Sequence, residues 1–326
     1  MHRALALLIV GCVAGCPLGV RAEPTNVPVI GYLDAAEPAS SAPLVAAFRS
    51  GLAETGYREG HNVGIEFRWG NNDNDRLPEL AADLVARKVA VIVVPISTVA
   101  ALVAKAATTS IPILFSTGAD PMRVGLVASL SRPGGNISGV NFMNVELSGK
   151  RLEILNELLP QAARFAVLVN PKNPASTRFY AEVQGAASAL GRQVEGFDAI
   201  ADGEIDAAFA ALADKRVDAL LISTDASFHS RRDRLVALAT QHRVPAIYPV
   251  REFVESGGLI SYGPSFADAH HQLGVYAGRI LAGAKPSDLP VIRPTKFELV
   301  INRKTAKTLG LTIPYSLLGF ADEVVD

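Results

Sequence analysis

The residues of this chain that could do chemistry are small polar side chains that follow short apolar runs. Residues 91–94 form an apolar, β-branched run, and Ser97 and Thr98 follow it at the start of an alanine-rich segment with helical spacing. A second apolar run, residues 111–115, is followed by Thr117. Runs that are apolar on both faces are typical of a parallel sheet covered on each side. The pattern predicts strand, helix and strand, with both polar turns at the same edge of the sheet.

That edge is where open α/β sheets bind ligands. The N-terminus of a helix favours an anion, so Ser97 and Thr98 are candidates for binding a carboxylate. The competing interpretation is that they only cap the free amides of the helix.

Two later predicted strands also end in polar turns, which supply four further candidate ligand contacts: Asn170, Ser223, Thr224 and Asp225. Asp225 could receive an ammonium group, and together with a carboxylate site this would suit an α-amino acid. The alternative for Asp225 is the N-cap of a following helix.

Four aromatic residues lie in or just after predicted strands near the expected cleft, namely Tyr32, Phe142, Tyr248 and Tyr262. Ligand sites are commonly lined by apolar and aromatic side chains, so these residues could form a slot for an apolar or aromatic group. Packing in the core is the competing interpretation for each.

Enzyme signatures are mostly missing, since the chain has no G-x-S-x-G, H-E-x-x-H or G-x-G-x-x-G motif. Residues 148–151 are similar to the end of a P-loop, but Asn144 occupies the position of the first glycine and Arg151 that of Ser/Thr. Ser223 near His229 is the only local candidate for a nucleophile and base. His270 and His271 are adjacent and would face different directions on a helix, so we expect no metal site and no cofactor.

The composition indicates a globular chain with room for two domains, because 326 residues are 49% hydrophobic and 19% charged. The formal net charge of −1 gives no electrostatic reason to expect nucleic acid. Both cysteines, Cys12 and Cys16, precede Arg21, so the mature chain should lack a disulfide framework and cysteine metal ligands.

The N-terminus has the features of an export signal, with His2 and Arg3 before an apolar stretch at residues 4–15. Two processing sites compete. Cleavage after Ala22 would remove residues 1–22 as a signal peptide, whereas a lipobox ending at Cys16 would remove residues 1–15 and leave a lipid anchor on Cys16. Both predict a protein of the periplasm or cell envelope.

The order of predicted elements indicates an α/β chain of two doubly wound parallel-sheet lobes. We expect the first lobe to comprise residues 27–140 plus 260–288, and the second residues 141–259 plus 289–326. Crossings between the lobes are expected at residues 137–142 and 257–264, and the chain after residue 309 is expected to be a tail.

Four segments carry a resemblance to a known family: residues 119–139 (ADPMRVGLVASLSRPGGNISG), 150–174, 251–263 (REFVESGGLISYG) and 294–314 (PTKFELVINRKTAKTLGLTIP). In these segments the chain resembles the substrate-binding proteins of bacterial ABC importers, within the subfamily that includes tryptophan- and tyrosine-binding proteins. The resemblance implies a type I periplasmic binding fold, in which two lobes joined by three crossings close around a ligand.

The resemblance further implies a monomer that delivers a small molecule, such as an amino acid or aromatic acid, to an ABC permease of the inner membrane. Two alternatives stay open at this point. One is a periplasmic binding protein that signals to a membrane sensor, and the other is a periplasmic hydrolase on the same fold.

Overall fold

The computed structural model describes residues 27–326 as two α/β lobes, each built on its own sheet. The predicted leader at residues 1–22 and the anchor at Cys16 lie outside the described residues. The strands are β1 (Val29–Asp34), β2 (Gly64–Trp69), β3 (Val91–Val94), β4 (Ile113–Thr117), β5 (Ile137–Asn141), β6 (Arg164–Val169), β7 (Gln193–Asp198), β8 (Ala219–Ile222), β9 (Ala246–Tyr248), β10 (Ile260–Gly263), β11 (Glu298–Asn302) and β12 (Glu323–Val325).

The helices cover both faces of the sheets. They are α1 (Pro38–Glu54), α2 (Leu77–Ala86), α3 (Thr98–Ala107), α4 (Ser148–Leu158), α5 (Ser176–Ala189), α6 (Asp202–Asp214), α7 (Ala226–Ser230), α8 (Arg232–Gln241), α9 (Glu252–Glu255), α10 (Phe266–Leu281), α11 (Arg303–Thr308) and α12 (Tyr315–Phe320). Two short 3-10 turns lie at Asn74–Arg76 and Pro286–Asp288.

The first lobe has a five-stranded parallel sheet in the order β2-β1-β3-β4-β5, which is a doubly wound order. The second lobe has a seven-stranded sheet in the order β12-β11-β10-β9-β8-β6-β7, parallel except where β10 meets β11. All residues of β3, β4 and β8 are buried, as the apolar runs predict for strands covered on both faces.

Helix α10 returns from the second lobe to cover the first sheet, where it packs against α1. Two glycines allow the helix backbones to touch. A Cβ on Gly51 would lie 1.9 Å from the carbonyl oxygen of His271, and one on Gly274 would lie 2.1 Å from that of Phe48. The chain after the second crossing is therefore part of the first lobe.

The strand pairing corrects the predicted crossings. Residues 137–141 belong to the first sheet, because β5 pairs with β4 from Ile113↔Ile137 onward. β10 pairs with β9 and β11, so it lies in the second sheet although the chain from residue 260 was expected in the first lobe. Residues 289–292 run beside β5, with Ile292 N donating to Gly139 O at 2.9 Å, and so lie on the first lobe. The chain crosses between the sheets at residues 142–147, 264–265 and 293–297.

Several short elements differ from the expectation. The serines and prolines of residues 34–43 predict a loop before a helix at residue 44, but the chain is already helical from Pro38, because proline is well suited to the first helical position. The expected tail contains α12 and the edge strand β12. Within residues 27–326 no helix combines the length and the apolar character needed to span a bilayer.

Candidate functional site

A cavity of about 120 Å³ lies between the lobes, at the carboxyl ends of both sheets. We call it the inter-lobe cavity. From the first lobe it is lined by residues that follow β1, β2 and β3, namely Ala35, Asn72, Asp73, Asn74, Ser97, Thr98 and Val99. From the second lobe it is lined by residues that follow β6, β7 and β8, namely Asn170, Lys172, Asn173, Ile200, Asp225, Ala226 and Ser227.

The turn between β3 and α3 presents a helix N-terminus to this cavity. Ser97 is the N-cap of α3, and its Oγ accepts a hydrogen bond from Ala100 N at 3.1 Å. Ile96 has a φ of 59°, which is rare for a β-branched residue. Backbone strain of this kind clusters at ligand sites. The first helical amides, on Thr98 and Val99, have no partner inside the helix and can bind an anion.

Thr117 lies behind Thr98 and is not among the cavity-lining residues. The two hydroxyl oxygens are 2.6 Å apart, and Thr117 Oγ1 also accepts a hydrogen bond from Ala119 N at 3.1 Å. When Thr117 donates to Thr98, the hydrogen of the Thr98 hydroxyl is free for a ligand. The two polar turns therefore meet at one edge of the sheet, with Thr117 orienting Thr98.

Asp225 is the N-cap of α7 and also lines the cavity. Its position is therefore compatible with both interpretations, a helix cap and a ligand contact. Its Oδ1 accepts from Ser227 N at 2.9 Å and from Asn170 Nδ2 at 3.2 Å, and its Oδ2 accepts from Asn173 Nδ2 at 2.9 Å. Asn170 therefore both lines the cavity and orients this carboxylate.

Ser223 and Thr224 lie at the end of β8 and are not among the lining residues. The hydroxyl oxygens of both are buried without a hydrogen-bond partner in the described part of the chain. A Cβ on Gly118 would lie 3.5 Å from Thr224 Cγ2, so this is where the two lobes approach each other most tightly behind the cavity.

The four aromatic candidates are placed in packed regions, and none of them lines the inter-lobe cavity. Tyr32 is buried against Phe48 with ring centroids 5.4 Å apart, and Phe142 packs on Phe266 at 4.5 Å. Tyr248 stacks on Phe253 at 4.9 Å. Tyr262, which is partly exposed, lies 6.2 Å from the ring of Phe297. The structure does not form the expected aromatic slot, because these rings contact other elements of their own lobes or of α10.

Several lining residues were not predicted from the sequence, and those with polar groups are Asn72, Asp73, Lys172 and Asn173. Asn71 and Asn72 have φ values of 55° and 62°, a left-handed conformation that asparagine tolerates. The Asn-Asn pair after a predicted strand was the available signal for a turn with special geometry.

The lobes touch across the mouth of the cavity. Ser230 Oγ, on α7, accepts a hydrogen bond from Asn72 Nδ2 at 3.2 Å and lies 3.1 Å from Ser40 Oγ on α1. The structure is therefore a closed form, in which both lobes share one polar contact network.

The candidate pair of the hydrolase alternative does not form. His229 Nδ1 and Ser223 Oγ are both buried without a hydrogen-bond partner in residues 27–326. Burial lowers the pKa of His229 to about 3, helped by the nearby charges of Arg232 and His270, so its ring is neutral. Clusters of three or more His, Cys, Asp or Glu side chains suited to a metal ion are absent from the described region.

The sequence matches the family described as ABC transporter substrate binding protein over residues 35–325. This match, together with a cavity between two α/β lobes, defines the class of protein. The chain belongs to the ABC transporter substrate-binding protein family.

Individual relatives agree with this assignment. The chain is 29% identical over 265 residues to a "Tyrosine-binding protein" of Clostridioides difficile (strain R20291), covering 81% of this chain and 75% of that protein. It superposes with a TM-score of 0.84, at 29% identity, on an ABC domain from Streptococcus pneumonia in complex with L-Trp, covering 91% of this chain and 99% of that one. Solved structures of sugar-, inositol- and leucine-binding proteins share the same type I periplasmic fold.

A third relative bears on the lobe arrangement. The ligand-free, open structure of a Clostridium difficile substrate-binding protein superposes with a TM-score of only 0.64, at 28% identity, covering 92% of this chain and 99% of that one. The identity nearly equals that of the L-Trp complex, and the TM-score is lower. The closed contacts across Ser230 agree with this comparison.

Proposed function

We propose that this chain binds an α-amino acid in the inter-lobe cavity and delivers it to an ABC permease. The observation that carries the proposal is the pairing of opposite electrostatic partners across the cavity. The N-terminus of α3 faces it from one lobe and the Asp225 carboxylate faces it from the other. A zwitterion would place its carboxylate at Thr98 and its ammonium group at Asp225.

The relatives support an aromatic amino acid, since one is named as tyrosine-binding and another contains L-Trp. The cavity of about 120 Å³ is small for such a ligand. Pockets for drug-sized ligands are typically about 300–1,000 Å³. An aromatic ligand therefore needs a wider cavity than the one in this structure.

Identification of the ligand tests the proposal most simply. Protein purified from its natural host is denatured, and the released small molecules are analysed by mass spectrometry. We expect an unmodified amino acid in a one-to-one ratio. Release of a sugar or polyol would contradict the amino-acid proposal, and conversion of added ligand into a product would favour the hydrolase alternative.

An uptake assay in cells distinguishes delivery to a permease from signalling to a sensor. Uptake of the radiolabelled ligand should fall when the chain is deleted and recover when it is supplied again. Normal uptake together with a lost transcriptional response would favour the sensor alternative.

Export belongs to the same proposal, with a soluble periplasmic or lipid-anchored monomer as the working form. The intact mass of the protein from the envelope fraction distinguishes the two forms. A chain that begins at Glu23 indicates a signal peptide of residues 1–22, and a lipid-modified Cys16 indicates an anchor. A full-length protein in the cytoplasm would contradict both.

A further inference from the structure

Asn72 is held rigidly at the edge of the inter-lobe cavity. The loop that follows β2 is tied to the loop that follows β1, because Gly70 N donates to Asp34 O at 2.7 Å and Asn72 N donates to Ala35 O at 2.8 Å. Asn72 has a φ of 62°, so its side chain leaves the backbone in a different direction from that of a residue in an extended conformation. The side chain therefore occupies one defined position between the lobes.

The two ends of the Asn72 amide are in different situations. Its Nδ2 donates to Glu37 Oε1 at 3.0 Å and to Ser230 Oγ of the opposite lobe at 3.2 Å. Its Oδ1 is buried and has no hydrogen-bond partner in the described chain. The contact with the Glu37 carboxylate, which can only accept, fixes which end of the amide carries the nitrogen.

A buried acceptor without a donor is costly, so closure of the empty lobes leaves Asn72 Oδ1 in an unfavourable state. A ligand that supplies a hydrogen-bond donor would remove that cost. In an α-amino acid the carboxylate has no donor at neutral pH, and the ammonium group has three.

We propose that Asn72 determines specificity for the ammonium group of the ligand. In the closed complex the ammonium donates to Asn72 Oδ1, while Asn72 Nδ2 keeps its hydrogen bond to Ser230. Asn72 is thus a second contact for the end of the ligand that Asp225 holds, and it links recognition of that end to closure. This inference rests on the proposed amino-acid function.

The test compares a ligand with its des-amino analogue, for example L-tyrosine with 3-(4-hydroxyphenyl)propanoate, and L-tryptophan with indole-3-propanoate. The measured quantity is the ratio of the two dissociation constants. Asn72→Gly removes the amide and is compatible with a positive φ. We expect it to reduce the preference for the amino form roughly 10- to 100-fold, as for one hydrogen bond to a charged group.

Ser230→Ala is the matched control, because it removes the contact between the lobes and leaves Asn72 Oδ1 in place. It should weaken both ligands by a similar factor and leave their ratio within about twofold, since additive effects cancel in the ratio. Asn72→Asp retains an oxygen acceptor and should keep the preference for the amino form, although it loses the hydrogen bond to Glu37 and places two carboxylates side by side.

The outcomes separate this inference from the proposed function. If Asn72→Gly weakens both ligands equally, as Ser230→Ala does, Asn72 only joins the lobes and the inference is wrong. In that case the proposed function still stands, because the parent protein binds the amino acid. If the parent binds none of the amino acids, the proposed function fails and the inference fails with it.

Discussion

Asp225 caps α7 and lines the inter-lobe cavity. A ligand contact and a helix cap predict different effects of substitution on affinity and on stability. As a ligand contact it would compensate a buried ammonium group, and removing one member of such a pair costs roughly 2–5 kcal/mol, or about 30- to several-thousand-fold in affinity. Thr98→Ala removes only the hydroxyl contact to the carboxylate, which is worth roughly 1.5–3 kcal/mol, because the backbone amide of residue 98 stays. Calorimetric titration should therefore show that Asp225→Asn weakens amino-acid binding more than Thr98→Ala does.

As the N-cap of α7, Asp225 should also contribute stability, and a second cap provides the control. Asn302 caps α11 through a hydrogen bond from Thr305 N at 2.8 Å and does not line the cavity. Asn302→Ala should lower the free energy of unfolding by about 1 kcal/mol and leave affinity unchanged. Asparagine caps helices as well as aspartate does, so Asp225→Asn should keep the cap and Asp225→Ala should lose it. If Asp225→Asn binds the amino acid as tightly as the parent does, the role of Asp225 is structural and the amino-acid proposal loses its main support.

The buried carboxyl group of Asp34, at the end of β1, should make the free energy of unfolding depend on pH. Burial raises the pKa of its carboxyl from 3.8 to about 6, opposed by hydrogen bonds from Ala36 N and Ser41 Oγ. The folded state therefore favours the protonated form. Its contribution to stability is fully present below pH 3.8 and is lost as the pH rises through about 6.

Asp34→Asn removes this titration. In urea unfolding, the stability of the variant relative to the parent should increase by about 2 kcal/mol between pH 4.5 and 7.5. Other titrating groups, such as Glu252 with a pKa raised to about 7 by burial, are common to both proteins and cancel in the difference. A difference that does not change with pH would contradict the assignment.

The polar candidates could be located from sequence because their place depends on local pattern. Ser97, Thr98 and Asp225 directly follow apolar runs, and parallel strands bring such positions to one edge. The aromatic candidates could not be assigned in this way. Tyr32 lies inside β1, which is covered on both faces, and Phe142 is buried by Phe266 from a helix distant in the chain.

One buried side chain joins helix α4 to the first crossing and to the ends of β9 and β10. Arg151 Nε donates to Tyr262 O at 2.7 Å, at the end of β10, and Nη1 donates to Asn144 O at 3.2 Å, in the first crossing. Nη2 contacts Pro249 O at 3.3 Å and also bonds Asn144 Oδ1. All four acceptors are uncharged, and burial lowers the pKa of Arg151 to about 9.

The contacts of Arg151 predict a large effect on stability. Arg151→Met would leave several buried carbonyl oxygens unpaired and should lower the free energy of unfolding by roughly 2–4 kcal/mol. Lys150→Met is the control on the same helix, because Lys150 forms only an exposed pair with Glu153, and its effect should stay within about 0.5 kcal/mol. Equal effects of the two substitutions in chemical unfolding would show that the buried contacts are not stabilising.

Long periodic elements were predictable, and short ones were not. The pattern of residues 137–141 predicts a strand and that of residues 267–281 predicts a helix. The structure has β5 at the same bounds and α10 one residue longer at its start, because a full strand or several helical turns display their period. Helix α7 has five residues and β12 has three, too few to show a period. The start of α7 forms part of the second-lobe wall of the cavity. The residues of that wall could therefore not all be predicted from the sequence.

Gly118 lies where the two lobes come close together, so a larger side chain there should interfere with closure. A Cβ there would lie 3.2 Å from Asn144 Cβ and 3.5 Å from Thr224 Cγ2 of the other lobe. Gly118→Val adds two methyl groups beyond that point and should oppose closure. An overpacking cost of roughly 1–3 kcal/mol corresponds to about 5- to 150-fold weaker ligand binding, and Gly118→Ala should show a smaller effect.

Small-angle X-ray scattering tests this motion. The parent protein should become more compact when saturated with ligand, since hinged lobes close around it. Gly118→Val, at saturating ligand, should remain more expanded than the parent. Identical scattering of the parent with and without a tightly bound ligand would show that the lobes do not hinge.

The central claim is that a zwitterionic amino acid is held by both lobes through its two charged ends. Isothermal titration of the ligand-free parent protein with L-tyrosine and L-tryptophan, and with tyramine and tryptamine, tests it most directly. We predict one site for an amino acid and at least about 30-fold weaker binding of the amine that lacks the carboxylate. Equal affinity for the amino acid and the amine, or binding of neither, would contradict the claim.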